Sequence, residues 1–332
     1  MPQATSRPVP LWPGQLVEVP RGSLHVRATS ATPGAEPAMF IHGLGGSSTN
    51  WTDIMDLLSR PAPPLPTAPV LACSAVDLPG FGHSPPPADR DYRVSAHAAA
   101  VIELIDRQGQ WPVHLIGNSM GGAVAIRVAA RRPDLVRTLA LISPALPDLR
   151  PRPLPLRLAL AAAPGIGPRL MGWLRRIPAE ARTDRSFKDL FNDPGLVHPA
   201  RRSEEIAELL RRDDLTYANE ALVLSARSLI IEYFRTGPRS LWRDAARTAA
   251  PALILHGSHD RLVNPVMAAK AARAFRTARV IVLSGVGHVA MMERPGLVVA
   301  EIRAFLEWVK LTRAVGQDGL TAEVTSATQL PS

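Results

Sequence analysis

The 332-residue chain is expected to be an α/β protein: a mostly parallel central sheet covered by helices on both faces, with a block of helices inserted late in it. Three observations predict this. The runs AMFI (38–41), VLACSAV (70–76), VHLIG (113–117) and VRTLALI (136–142) are short and near-continuously apolar, as strands buried on both faces are. Helical patterns separate several of them, which is the rhythm of a parallel strand–helix sheet. That rhythm breaks over residues 148–237, where no good strand pattern occurs, and returns with PALILHG (251–257).

The elements follow in order. Alternating runs at Leu16–Val19 and Leu24–Ala28, split by Pro-Arg-Gly, predict a hairpin. AMFIHG predicts a buried strand entering a glycine-rich loop. PAPPLPTAP (61–69) is a proline-rich connection into the strand VLACSAV. Apolar residues from Val94 to Arg107 predict a helix that ends near Gly109. VHLIGNS is a strand, MGGAVAIRVAARR a helix stopped before Pro133, and VRTLALISP a strand. In the inserted block SEEIAELLRR places acids in its first turn and arginines in its last, as the helix dipole favours. PVMAAKAARAFRTA, VIVLSGVGH and PGLVVAEIRAFLEWVK then give helix, strand and helix. The expected organisation is a core of 14–147 and 238–311, a helical cap of 148–237, and flexible termini at 1–13 and 312–332.

Composition narrows the class. Charged residues make up 20% of the chain, hydrophobic ones 46%, and mean hydropathy is +0.04, all typical of a globular chain. The single cysteine, Cys73, sits in an apolar strand and is expected in the core; one sulfur makes neither an internal disulfide nor a zinc cluster. The N-terminus MPQATSRPVPLWPGQ has no apolar h-region, and no run of about 18 apolar residues occurs, so the expected location is the cytoplasm. Net charge is +9, and the stretch Arg150–Arg212 alone holds twelve Arg, one Lys and seven acids, a local +6. Without a nucleic-acid motif beside it, this excess predicts a solvated arginine-rich face, or weak peripheral contact with an anionic membrane surface.

The candidate chemistry begins at Gly117-Asn118-Ser119-Met120-Gly121, a G-x-S-x-G between strand and helix. A serine thrust out of a sheet edge needs a sharp turn with positive φ, and near-absent side chains two positions before and after it. Gly122 lets the following helix pack closely. A serine hydroxyl needs a base, and the base an orienting acid. Of nine histidines, His288 is selected because it follows the last apolar strand and so emerges at the same sheet edge as Ser119. Asp260 ends the preceding strand, and Asp148, after VRTLALISP, is the second candidate acid. The order Ser119…Asp260…His288 has intervals of 141 and 28 residues. Oxyanion donors are expected from the amides of Met120 and of Leu44, which follows His42-Gly43. There is no G-x-x-x-x-G-K-[ST], and no G-x-G-x-x-G at the first strand–helix turn, so nucleotide binding is not expected. No metal or other cofactor is implied.

HGLGGSSTNW, DLPGFGHS, GNSMGG, HGSHDRLVNP and GVGHVAMMERP occur in that order, and together they resemble the α/β-hydrolase fold superfamily in its capped branch. The resemblance implies a Ser119–His288–Asp260 triad under a helical cap, without a cofactor, acting on small-molecule substrates. Within it, epoxide hydrolases and haloalkane dehalogenases use an aspartate where this chain has Ser119. Tyr217 and Tyr233 lie in the cap, as epoxide-hydrolase tyrosines do, yet the loop is HGLG rather than HGxP. The meta-cleavage C–C hydrolases often carry GNSMGG but commonly have tryptophan after the histidine, where Val289 stands. The favoured expectation is a carboxylic-ester hydrolase for small or lipid-like substrates, with Leu156, Leu158, Leu160, Met171, Trp173 and Leu174 forming cap core or an acyl tunnel. C–C hydrolysis of the meta-cleavage type, a chain grouped with epoxide hydrolases by overall similarity, and a non-enzymatic ligand receptor on the same scaffold are the alternatives. The oligomeric state is not predicted.

Overall fold

The computed structural model describes residues 8–30, 32–61, 68–148, 172–314 and 323–327, together with Leu154, Ala163 and Gly165. Among the described residues nine strands form one sheet: β1 Gly14–Val19, β2 Gly22–Ala28, β3 Glu36–Ile41, β4 Leu71–Val76, β5 Val113–Asn118, β6 Val136–Ile142, β7 Ala252–Gly257, β8 Ala278–Leu283 and β9 Glu323–Ala327. Their spatial order is β1-β2-β4-β3-β5-β6-β7-β8-β9. The β1–β2 hairpin and the β2–β4 pair are antiparallel, and every other pairing is parallel.

Alternate residues of each central strand feed two cores, which is why these strands carry no polar face. Met39 and Ile41 of β3 and Ile254 of β7 pack with helices α2 (Val94–Gln108) and α3 (Met120–Arg131) on one side. Phe40 of β3 and Leu253 and Leu255 of β7 pack with α1 (Thr52–Leu58) on the other. Cys73 is buried on that second side, and burial pushes its thiol pKa up, so the thiol is inert core.

Between β6 and β7 the described residues hold helices α4 (Ala179–Leu190), α5 (Pro199–Asp213), α6 (Ala218–Phe234) and α7 (Leu241–Arg247). The chain then returns through α8 (Met267–Ala274), α9 (Ala290–Glu293) and α10 (Pro295–Ala314). Helix α6 is fixed to the core by buried charge. Arg127 of α3 forks onto Glu232 of α6, at 2.9 and 3.1 Å, while its Nε donates to Asp244 of α7 at 2.9 Å. Three buried charges hold together only when mutually paired, and loss of the arginine would leave two carboxylates in a dry setting.

Two sequence expectations need correction. The polar tail was expected to fray from Thr312, but α10 continues to Ala314 and Glu323–Ala327 adds a parallel edge strand beside β8. A five-residue polar strand carries no periodicity of its own, and its order comes from the ladder it joins. The cap arginines were expected in a solvated face, but Arg201 is only 2% exposed and Arg212 is half-buried. Of the proposed acyl-tunnel residues, Leu156, Leu158, Leu160 and Met171 lie outside the described residues. Trp173 is exposed and Leu174 half-buried.

Candidate active site

The turn at Ser119 has φ 53° and ψ −117°, a backbone state that costs a non-glycine residue on the order of 1–3 kcal/mol. Surrounding bonds hold it there. The Ser119 amide donates to Ile142 O at 3.0 Å, and its carbonyl accepts from Gly122, Ala123 and Ala145 at 3.0, 3.2 and 3.0 Å. The flanking glycines are steric necessities. A Cβ on Gly117 would lie 2.5 Å from Gly121 O, and one on Gly121 would lie 2.2 Å from Ile41 O. Gly122 abuts Pro144, at 2.9 Å from where its Cβ would be. Ser119 therefore stands at the carboxyl edge of β5, at the start of α3 and next to the end of β3.

His288 follows β8 at the same edge. Its Nδ1 lies 2.8 Å from Asp260 Oδ2, which makes Asp260 and not Asp148 the carboxylate on this ring. Asp260 Oδ1 accepts from the amides of Leu262 and Val263, both at 2.8 Å. Burial acts to raise the Asp260 carboxyl, but the His288 ring and these hydrogen bonds outweigh it and hold the group below its usual range. The acid is therefore ionised at neutral pH. His288 Nε2 is buried and has no hydrogen-bond partner among the described residues, so no hydrogen bond joins the Ser119 and His288 side chains. The strand ends are tied instead through Asn118 Nδ2, which donates to the His288 carbonyl at 3.2 Å.

The glycine-rich loop after β3 runs beside the serine, with Gly43 at 3.2 Å from Ser119 Cβ when given a Cβ of its own. Among the described residues no hydrogen bond takes up the amide of Leu44 or of Met120. The Gly43 carbonyl, in the same peptide unit as the Leu44 N–H, accepts from the Gly46 amide at 3.1 Å and from His42 Nδ1 at 2.7 Å. His42 Nε2 accepts from the Leu78 amide at 3.0 Å, so the proton resides on Nδ1. Burial pushes the pKa of this imidazole down, keeping it neutral.

Several site-shaping groups escaped sequence reasoning. Asp77, in DLPGFGHS, is fully buried and accepts from Ser48 N at 2.5 Å, His25 Nδ1 at 2.8 Å and His83 N at 2.9 Å. It joins the glycine-rich loop to the loop after β4. Burial opposes its ionisation, but the His25 bond, the His42 ring and the two amides prevail and bring its pKa down to about 2. Glu293 braces the His288 loop: its Oε2 accepts from Gly287 N at 2.8 Å, and its Oε1 from Asn192 N and Asp193 N at 3.1 and 2.8 Å. His256, a polar residue inside the run LILHG, is fully buried, and burial pushes it down to about 4. Of the two tyrosines singled out, Tyr233 lies within the electrostatic reach of Asp260. Burial, with the fields of Asp148 and Asp260, pushes its phenol up to about 12, so it stays a neutral donor. Where α5 meets the segment after β3, burial pushes Glu205 up to about 7.

Asp77 supplies a pH prediction. Its folded pKa of about 2 lies below the unfolded carboxylate value of about 3.9, so the unfolded chain takes the proton first as pH falls. Its contribution, on the order of 2–3 kcal/mol, is complete above about pH 5 and is lost as pH falls toward 2. Urea unfolding between pH 3 and 6 should show that loss in the wild type and a flatter, lower profile in Asp77→Asn.

A serine in a strained strand–helix turn, a paired imidazole and free amides at one sheet edge have a known family context. The model of the alpha/beta hydrolase fold matches residues 37–295. The chain belongs to that family. It is 26% identical over 292 residues to Lipase 3 of Moraxella, covering 87% of this chain and 83% of the lipase. It is 29% identical over 277 residues to the dihydrolipoyllysine-residue acetyltransferase component of the acetoin cleaving system of Cupriavidus necator, covering 82% of this chain. The chain spans 63% of that acetyltransferase's length. The crystal structure of a haloalkane dehalogenase from Bradyrhizobium elkani superposes with a TM-score of 0.73 at 24% identity, over 90% of this chain and 99% of the other. At that identity the likeness speaks for the fold alone.

Proposed function

We propose that this hydrolase cleaves carboxylic esters of small or lipid-like substrates through an acyl-enzyme on Ser119. The observation that carries the reading is the His288–Asp260 pair at 2.8 Å, at the same sheet edge as a serine with φ 53°. In this mechanism Ser119 Oγ attacks the ester carbonyl while His288 Nε2 takes its proton. Asp260 stabilises the imidazolium and fixes the tautomer through Nδ1. The amides of Leu44 and Met120 receive the developing oxyanion. Collapse of the adduct expels the alcohol, which leaves with the proton from His288. Water, deprotonated by the same ring, then releases the acid and restores Ser119. The likeness to Lipase 3 supports an ester as substrate. The serine argues against the alkyl-ester route of an aspartate nucleophile. A screen of p-nitrophenyl esters of rising chain length, beside a meta-cleavage dienoate and styrene oxide, tests this. Turnover is expected for the esters, and turnover of the dienoate or the epoxide alone would overturn the assignment.

The finer part of the reading is cellular. We infer a cytoplasmic enzyme whose cap touches anionic lipid. Exposed Trp173, Arg175 and Arg176 lie in the basic stretch, and each cation near an anionic surface contributes roughly 1 kcal/mol, screened by salt. No described helix is long and apolar enough to cross a membrane. Flotation should show binding to anionic but not neutral vesicles, lost at high salt and in an Arg169/Arg175/Arg176→Ser variant. Absence from both kinds of vesicle would remove the lipid role.

A further inference from the structure

The cap meets the glycine-rich loop through charged groups. On α5, Arg201, Glu205 and Arg212 fall at i, i+4 and i+11, on one side of the helix. Arg201 Nε lies 3.5 Å from Asp53 Oδ2 on α1. Asn50 Nδ2 donates to Glu205 Oε1 at 2.5 Å, and Arg212 Nη1 donates to Gly45 O at 2.8 Å. We propose, resting on the serine-hydrolase reading above, that cap helix α5 is a positioning element of the oxyanion hole, with Arg212 holding the Gly45 carbonyl and Glu205 holding Asn50.

Residues 43–46 form a four-residue turn closed by Gly46 N to Gly43 O at 3.1 Å. Gly45, at its third position, has φ +76°, the state that this position of a type II turn demands. The core side of the turn is anchored by His42 on the Gly43 carbonyl. Its outer side is held from the cap: Arg212 bonds the Gly45 carbonyl, and Leu222 of α6 lies 3.4 Å from where a Cβ on Gly45 would be. A turn gripped at both ends fixes the direction of the Leu44 N–H between them, whereas one gripped only from below can rock about its glycines. The guanidinium suits this task because a charged donor on a carbonyl makes a stronger bond than a neutral one. Asn50 extends the grip. Its Oδ1 accepts from Ser47 N at 3.1 Å, so the bond to Glu205 also fixes which end of the amide faces the loop. Arg212 and Leu222 of the cap both bear on Gly45, so cap position and oxyanion geometry are coupled.

The test compares kcat, KM and the second-order rate of fluorophosphonate labelling of Ser119 in wild type, Arg212→Gln, Arg212→Lys and Glu205→Leu. Arg212→Gln should lower kcat and the labelling rate together by about 10- to 100-fold, less than loss of a donor itself, with KM within about twofold. Arg212→Lys should retain part of the rate, and added guanidinium ion should restore part of the Arg212→Gln loss. Glu205→Leu should give the same signature at smaller size, and serves if Arg212→Gln folds poorly. A raised KM with kcat unchanged would make Arg212 a substrate-binding group and overturn the proposal. Wild-type values in the Arg212→Gln and Glu205→Leu variants would overturn it as well. Ester turnover surviving in Ser119→Ala would instead sink the serine reading beneath it.

Discussion

Ser119→Ala is expected to lower kcat for esters by about 10⁴-fold or more while circular dichroism and the unfolding midpoint stay near wild type. The side chain contributes nothing to the turn's own hydrogen bonds, which run through the Ser119 amide and carbonyl. Alanine can make each of them. What it lacks is the oxygen on which the acyl group is carried, and without that oxygen His288 has no proton to take. The residual rate would come from the oxyanion amides and substrate binding acting on water. Retention of a tenth of the activity would mean that another group carries the chemistry.

The second large effect is expected at Asp260. Asp260→Asn should cost on the order of 10⁴ in kcat, because an amide can donate to Nδ1 and so favours the tautomer with its proton on Nε2. That tautomer cannot accept a proton from serine. Two amides, Leu262 and Val263, converge on Oδ1 at 2.8 Å and hold the side chain in place, so the asparagine should sit where the aspartate did. Asp148→Asn provides the contrast and should be mild, since the ring's Nδ1 faces Asp260. A crippling Asp148→Asn beside a mild Asp260→Asn would transfer the acid's role to Asp148.

How much of this was legible in the sequence depends on how local the physics is. The turn at Ser119 was readable because its requirements fall within five residues: Gly117 and Gly121 are small because each would collide with backbone a few ångströms away. The parallel sheet was readable because burial on both faces leaves near-continuous apolar runs such as Leu253–Ile254–Leu255. Asp260 was chosen by its place at a strand end, and the geometry pairs it with His288. Asp77 was passed over because its partners Ser48, His25 and His83 come from three segments, and no spacing rule links them. The inward arginines were misjudged for a related reason. A charge run predicts solvent unless its acceptors are visible, and the acceptor of Arg212 is a backbone carbonyl 167 residues away. Strand β9 depends on pairing with β8, some 40 residues earlier in the chain, which its polar composition does not announce.

The central claim, a covalent acyl route through Ser119, is tested most directly by mass spectrometry of the protein trapped with a fluorophosphonate. One adduct per chain is expected, located on the peptide that contains Ser119, absent in Ser119→Ala and formed far more slowly in Asp260→Asn. An adduct on a different residue, or none while ester turnover proceeds, would contradict it.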